Sequence, residues 1–410
     1  MATLLLQIVL IIVAARVFGA LAKRLGQPSV IGEMAAGIAL GPSLLGAVAP
    51  GAYLRLFPAN SFAFLNVLSQ IGVIIFLFSV GLDFSWSHLR HRARTAIVVS
   101  NVSVIVPFLL GVLVAWPLYD TSVKAGVPFR AFALFMGIAM SITAFPVLAR
   151  ILSERRMLST PIGSLALTCA AVDDVTAWTL LAFVVAVVTS GGSLGAVAVT
   201  LGLTAVFVLT MVVVVRPILR PWLHGRTGED LFSNERVAIA MALLFASALA
   251  TETIGVHALF GSFVAGAALP ASDEFREGLR VRLESFTSIL LLPLFFAYTG
   301  LRTQIGLIDD WSSVALCVAI IALATAGKLG ASALAGRAMG LDWNSSFILG
   351  ALMNTRGLME LIALNVGYDL GVISAEMFTI LVVMALVTTA MTGPLVDLAY
   401  RRTAGEPISR

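Results

Sequence analysis

Asp173 and Asp174 stand side by side in CAAVDDVTAW (169–178), with apolar sequence on both sides. Adjacent positions on a helix project about 100° apart, so the two do not meet as a face-to-face acid dyad. One carboxylate can turn to a cavity while the other turns to a neighbouring helix. Burial in general raises a carboxylate pKa, and a carboxylate that titrates near neutral lets protons and cations compete for it. Few ionisable residues share such apolar surroundings: Arg16, Glu33, Lys328, Arg356 and Glu360. Lys328 and Arg356 are the bases available to neutralise the acids. Arg356 and Glu360 have the i,i+4 spacing at which helical side chains pair, which suits compensation of helix-end charges.

Two nearby stretches carry backbone that a helix does not hold well. In SITAFPVLARIL (141–152), Pro146 removes a donor and blocks the carbonyl of Ile142. In NTRGLMEL (354–361), Asn354, Thr355 and Gly357 weaken the helix. Broken backbone at membrane depth is tolerated where it lines a cavity or is buried in protein. Freed carbonyls and the Thr143 hydroxyl would add oxygen ligands beside the acids, the environment a hard monovalent cation wants.

The elements that position these residues are membrane spans. The chain of 410 residues is 59% hydrophobic and 12% charged, where a soluble domain carries about 25% charged residues. Apolar stretches of about 20 residues, the length that crosses about 30 Å of hydrocarbon, recur throughout. We place spans at 4–22, 29–47, 63–82, 95–118, 130–151, 161–189, 194–216, 234–252, 255–270, 285–304, 311–335, 344–366 and 375–399. The opening apolar run lacks the basic start of a secretory signal and reads as a retained span. With the N-terminus outside, inner loops and tail carry 19 of the 26 Lys and Arg, and outer loops carry Arg55, Lys124, Arg130 and Arg302. That asymmetry follows the positive-inside rule, so the basic balance is a topology signal and not a nucleic-acid footprint. The inner segment 82–94 reads as a short surface helix, and the tail 401–410 as cytoplasmic.

The two interrupted spans are seven apart and therefore run in opposite directions. Spans 4–6 and 11–13 then form an inverted repeat, each with a broken middle helix, which points to a transporter site near the midplane. Other classes fit less well. An intramembrane aspartyl protease needs two acids meeting across a gap. The sequence has no HExxH zinc site and no GxSxG nucleophile turn, and no enzyme is expected. A cation channel or uniporter, and a proton-coupled organic-solute carrier on the same scaffold, remain the alternatives to an antiporter.

Six segments in order, GQPSVIGEMAAGIALGPSLLG (26–46), SITAFPVLARIL (141–152), CAAVDDVTAW (169–178), IGVHALFGSFVAG (254–266), LPLFFAYTGLRTQIG (292–306) and NTRGLMELIALNVG (354–367), resemble the second cation:proton antiporter family. The likeness is to its plant-type cation/H⁺ exchanger branch and bacterial relatives. It implies an all-α fold of about 13 transmembrane helices with inverted repeats and two crossed discontinuous helices, as in sodium/proton antiporters. It implies alternating-access exchange of K⁺ or Na⁺ for H⁺ in a bacterial plasma membrane, serving pH homeostasis. No cofactor beyond the transported ions is implied. The implied homodimer has dimerisation parts at 1–92 and 233–305, a linker at 191–232, and a transport core at 93–190 and 306–400. The family's ion and proton carrier falls on Asp174, which would hold the monovalent cation. The preceding position, often Asn in the plant-type branch, is Asp173; members with two aspartates are associated with electrogenic exchange, which leaves stoichiometry open. The family's lysine in span 11 falls on Lys328 and is expected to pair with the first acid. The basic position of span 12, often Lys, is Arg356. Many members continue into a cytosolic regulatory domain after the last span; this sequence does not.

Overall fold

The computed structural model describes residues 2–83, 93–123, 127–158, 160–189, 194–223, 233–269 and 272–404. The surface helix expected over 82–94 and the tail 401–410 lie mostly outside the described residues. Every regular element among them is helical. In chain order these are α1 (Ala2–Arg24), α2 (Ser29–Leu40), α3 (Leu45–Val48), α4 (Pro50–Leu56), α5 (Phe62–Asp83), α6 (Ala93–Ser122) and α7 (Phe129–Ser141). They continue with α8 (Phe145–Glu154), α9 (Pro161–Thr189), α10 (Leu194–Thr210), α11 (Arg216–Leu223), α12 (Asn234–Ile254), α13 (Ala258–Ala268) and α14 (Asp273–Phe286). The last are α15 (Leu292–Arg302), α16 (Trp311–Thr325), α17 (Ala331–Ala338), α18 (Trp343–Met353), α19 (Leu358–Asp369) and α20 (Ala375–Ala404). One-turn π segments join α10 to α11, α14 to α15 and α16 to α17.

Among the described residues, 11 helical runs are long and apolar enough to cross a membrane, and the bent pair α18–α19, at 41°, makes a twelfth. The chain is a multi-pass membrane protein. The count of thirteen is not reached, because the stretch expected at 255–270 holds only the 11 residues of α13. At 1.5 Å per residue α13 covers about 16 Å, roughly half the hydrocarbon thickness. Left-handed backbone at Gly255 (φ 91°) and a positive φ of 124° at His257 delay its start. Elsewhere local chemistry sets helix ends as usual. Asp310 caps α16 through the Ser313 N–H; this bond and those from the Ser312 and Ser313 side chains hold its carboxyl down to about 2.

The chain folds as two compact units. The first comprises Met1–Ile12, Leu56–Ser87 and Ala182–Tyr298. Within it α5 and α13 approach so closely that a Cβ on Gly266 would lie 2.2 Å from the carbonyl oxygen of Phe78. Arg276 of α14 donates to the carbonyl of Leu82 at 2.7 Å, meeting the end of α5. The second unit comprises Val13–Arg55, His88–Leu181 and Thr299–Arg410. It contains both interrupted helices and every acid and base singled out above. Buried Val99, Leu148, Leu152, Leu165, Cys169, Leu349, Leu352 and Val396 pack into one apolar cluster there. Dry, dense surroundings of that kind leave charges to be satisfied by one another rather than by water.

Candidate functional site

The site begins with two breaks. After α7 the backbone turns extended at Ile142 (φ −69°, ψ 137°) and again at Ala144 (φ −92°, ψ 98°) before α8 begins. Pro146 sits in the first turn of α8, where a missing N–H is no loss and the fixed φ suits the helix. After α18 the chain runs through Asn354, Thr355, Arg356 and Gly357 before α19 begins. Gly357 adopts φ 152°, a region open to glycine and costly to other residues. A Cβ there would lie 2.7 Å from Val147 Cγ2 of the other broken helix. Gly357→Ala is therefore expected to destabilise the protein by about 1–3 kcal/mol from backbone strain alone, before any clash. Thermal unfolding in detergent checks this; parent-like stability would contradict a break of this geometry.

The two breaks bind each other. Ala144 N–H donates to Thr355 O at 3.0 Å, and the Thr143 hydroxyl reaches Met353 O at 3.1 Å. Remaining helix-end groups are met by charge of the favourable sign. At the end of α7, Arg356 Nη1 and Nη2 donate to Ala139 O and Met140 O at 2.8 and 2.7 Å, and Lys328 Nζ donates to Ser141 O. At the start of α19, Glu360 stands in the first turn, 3.2 Å from Arg356 Nη1. Neither Glu360 oxygen closes a hydrogen bond of good geometry. Helix α20 supports the second break with hydroxyls: Arg356 N–H donates to Thr389 Oγ1 at 3.0 Å, and that hydroxyl donates to Arg356 O at 2.8 Å.

Asp173 and Asp174 separate as adjacent helical positions must. Asp173 is fully buried and held on all sides. Lys328 Nζ lies 3.0 Å from its Oδ2, and the Thr143 hydroxyl donates to the same oxygen at 2.8 Å. Hydroxyls of Ser100 and Ser103, one turn apart on α6, donate to it as well. Lys328 lies in the π segment Ala326–Gly330, a local widening of a helix that often marks functional positions. Asp174 is 3% exposed, and neither of its oxygens has a hydrogen-bond partner. Facing it is the backbone N–H of Phe145, the first residue of α8, so the carboxylate is aimed at the positive end of a half-helix.

The structure thus brings Asp173, Asp174, Thr143, Lys328, Arg356, Glu360, Pro146, Asn354 and Gly357 to one crossing. Thr143 turns its hydroxyl to Asp173 rather than Asp174. Asn354 leaves Oδ1 unpaired and donates weakly, at 3.4 Å, to Thr388 O. Among the described residues, five ionisable side chains are exposed by 3% or less: Asp173, Asp174, Glu360, Lys328 and Arg356. Two are bases and three are acids, and the acid left over is Asp174. Sequence reasoning missed Ser100, Ser103 and Thr389.

Comparison with known proteins follows the same geometry. The family described as sodium/hydrogen exchanger, transmembrane, matches residues 9–398. Over 398 residues the chain is 44% identical to the Na⁺/H⁺ antiporter NhaS4 of Synechocystis, covering 97% of each chain. It is 40% identical to cation/H⁺ antiporter 20 of Arabidopsis thaliana, over 98% of this chain and 49% of that one. It is 33% identical to K⁺/H⁺ antiporter 1 of Saccharomyces cerevisiae, over 91% of this chain and 44% of that one. The chain therefore spans nearly the whole of the first relative and about half the length of the other two. Its fold is similar to that of the sodium proton antiporter MjNhaP1 of Methanocaldococcus jannaschii, with a TM-score of 0.65 at 16% identity over 96% of this chain and 95% of that one.

Proposed function

The chain belongs to the sodium/hydrogen exchanger family, and from that premise we propose that it exchanges a monovalent cation, Na⁺ or K⁺, for protons at Asp174. The observation that carries this reading is the buried, unpartnered carboxylate of Asp174, the one acid in its cluster without a base. An isolated ionised carboxylate in a dry interior is strongly disfavoured. A proton or a small cation removes the penalty equally well, and both cannot occupy the same oxygens. That exclusion is the coupling: the carrier crosses loaded with one ion or the other, while the empty charged form crosses poorly.

The surrounding residues make the cavity usable. Asp173, clamped by Lys328 and three hydroxyls, supports the α9 backbone that presents Asp174. Thr143 joins the site through Asp173 and the crossing of the two breaks. Arg356, Lys328 and Glu360 compensate helix ends that would otherwise compete for the transported ion. Every site residue belongs to one compact unit, as a core that moves as a body requires. We assign the transport core to 93–190 and 306–400, the dimerisation parts of a homodimer to 1–92 and 233–305, and the link to 191–232. Alternating access follows by movement of the core within a bacterial plasma membrane, with the N-terminus outside and the C-terminus cytoplasmic. The relatives include proteins named for Na⁺ and for K⁺, and both ions suit an oxygen-lined site.

Acid-loaded proteoliposomes containing a pH dye test the reading. Dequenching on addition of Na⁺ or K⁺, and not of choline, is the expected result. Folded protein that releases the gradient with no cation would overturn it.

A further inference from the structure

The number of charges that change at the crossing is legible from its hydrogen bonds. Resting on the exchange reading above, we infer that each cycle moves one cation against one proton with no net charge, and that Asp173 and Lys328 keep their charges throughout.

Lys328 has three N–H donors and no other chemistry, and three acceptors meet it: Asp173 Oδ2 at 3.0 Å, Ser103 O at 3.0 Å and Ser141 O. Loss of its proton would leave two N–H groups for three buried acceptors, orphaning one of them. Ser141 is the last residue of α7, so the ammonium also meets the negative end of that half-helix. Asp173 accepts from Lys328, Ser100, Ser103 and Thr143. A carboxylate offers about four acceptor sites, so these donors fill it. A proton or a cation arriving at Asp173 must displace a donor that has no alternative partner of equal quality. The presence of a second aspartate therefore does not make it a second carrier.

Arg356 cannot lose its proton in a protein, and it stands beside Glu360. That pair, like the Asp173–Lys328 pair, sums to zero. The variable charge is Asp174 alone, and its reaction balances: the carboxylic acid and M⁺ give the carboxylate–M⁺ pair and H⁺. Either loaded form of the five-residue cluster is neutral, so the membrane potential does no work on the step that carries it across.

The stoichiometry is read from the gradients at which flux stops. Wild-type proteoliposomes are prepared with a pH gradient of about one unit and a permeant anion, thiocyanate, at equal concentration on both sides to hold the potential at zero. Opposing Na⁺ or K⁺ gradients are varied until the dye signal is stationary. One-for-one exchange is nulled by about a tenfold cation gradient, whereas two protons per cation require about a hundredfold, since a tenfold ratio is the same free energy for either ion. A null near tenfold is the expected result. A null near hundredfold, with flux lost in Asp174→Asn, overturns the inference and leaves exchange standing; the same null reverting to tenfold in Glu360→Gln would place the second proton on Glu360. Absence of cation-specific flux at any gradient overturns exchange itself.

Discussion

Asp174→Asn is expected to reduce cation–proton exchange to the rate of protein-free vesicles while leaving the protein at least as stable as the parent. The two halves of that result have one cause. Asp174 is buried and its oxygens are unpartnered, so its charge does not hold the fold together. Removing an uncompensated buried charge relieves a penalty rather than creating one. The amide keeps the volume and still offers an oxygen to the Phe145 N–H, but it cannot trade a proton for a cation. Dye flux in vesicles and thermal unfolding in detergent read the two halves separately. Loss of exchange together with loss of folding would reassign Asp174 to a structural role.

Lys328→Met is expected to do the reverse and strike stability first. Lys328 is fully buried, and removing it strips Asp173 of its ion pair and leaves Ser103 O and Ser141 O without their donor. Breaking a buried pair by deleting one partner costs about 3–5 kcal/mol. Replacing both partners often costs little, because the stranded charge goes with them. The double variant Lys328→Met with Asp173→Asn is therefore expected to recover much of the loss, with the amide still able to accept from Ser100, Ser103 and Thr143. Thermal midpoints of the parent, both single variants and the double variant form the cycle. Additive losses would mean that the two side chains are not coupled in the folded protein.

Much of this arrangement was legible in the sequence, and the parts that were not share a physical reason. Paired acids in an apolar stretch and the Asn-Thr-Arg-Gly run are costly in a membrane helix, so each announces a purpose. Pro146 was a weaker signal by itself, because Pro107 and Pro117 lie inside α6 without interrupting it. What turns one proline stretch into a break is supply of partners from elsewhere: Thr355 O for the Ala144 N–H, and Lys328 and Arg356 for the carbonyls of α7. Those partners come from distant segments that periodicity does not connect. Ser100, Ser103 and Thr389 escaped for a related reason. Hydroxyls on membrane helices commonly bond the carbonyl one turn back, as Thr168 and Thr176 do here to Ser164 O and Val172 O. Nothing in local sequence distinguishes those from the hydroxyls that hold Asp173 or brace Arg356. The short α13 was misjudged because its apolar content is that of a span, while Gly255 and His257 take backbone conformations that postpone the helix.

The central claim is that one carboxylate holds either a cation or a proton, and titration calorimetry measures it most directly. Na⁺ or K⁺ is titrated into purified protein in two buffers of different ionisation enthalpy, across a range of pH. If Asp174 is the shared site, lowering the pH weakens cation binding toward tenfold per unit, and each cation bound then releases about one proton. Binding of unchanged affinity at every pH, with no proton released, would contradict the account.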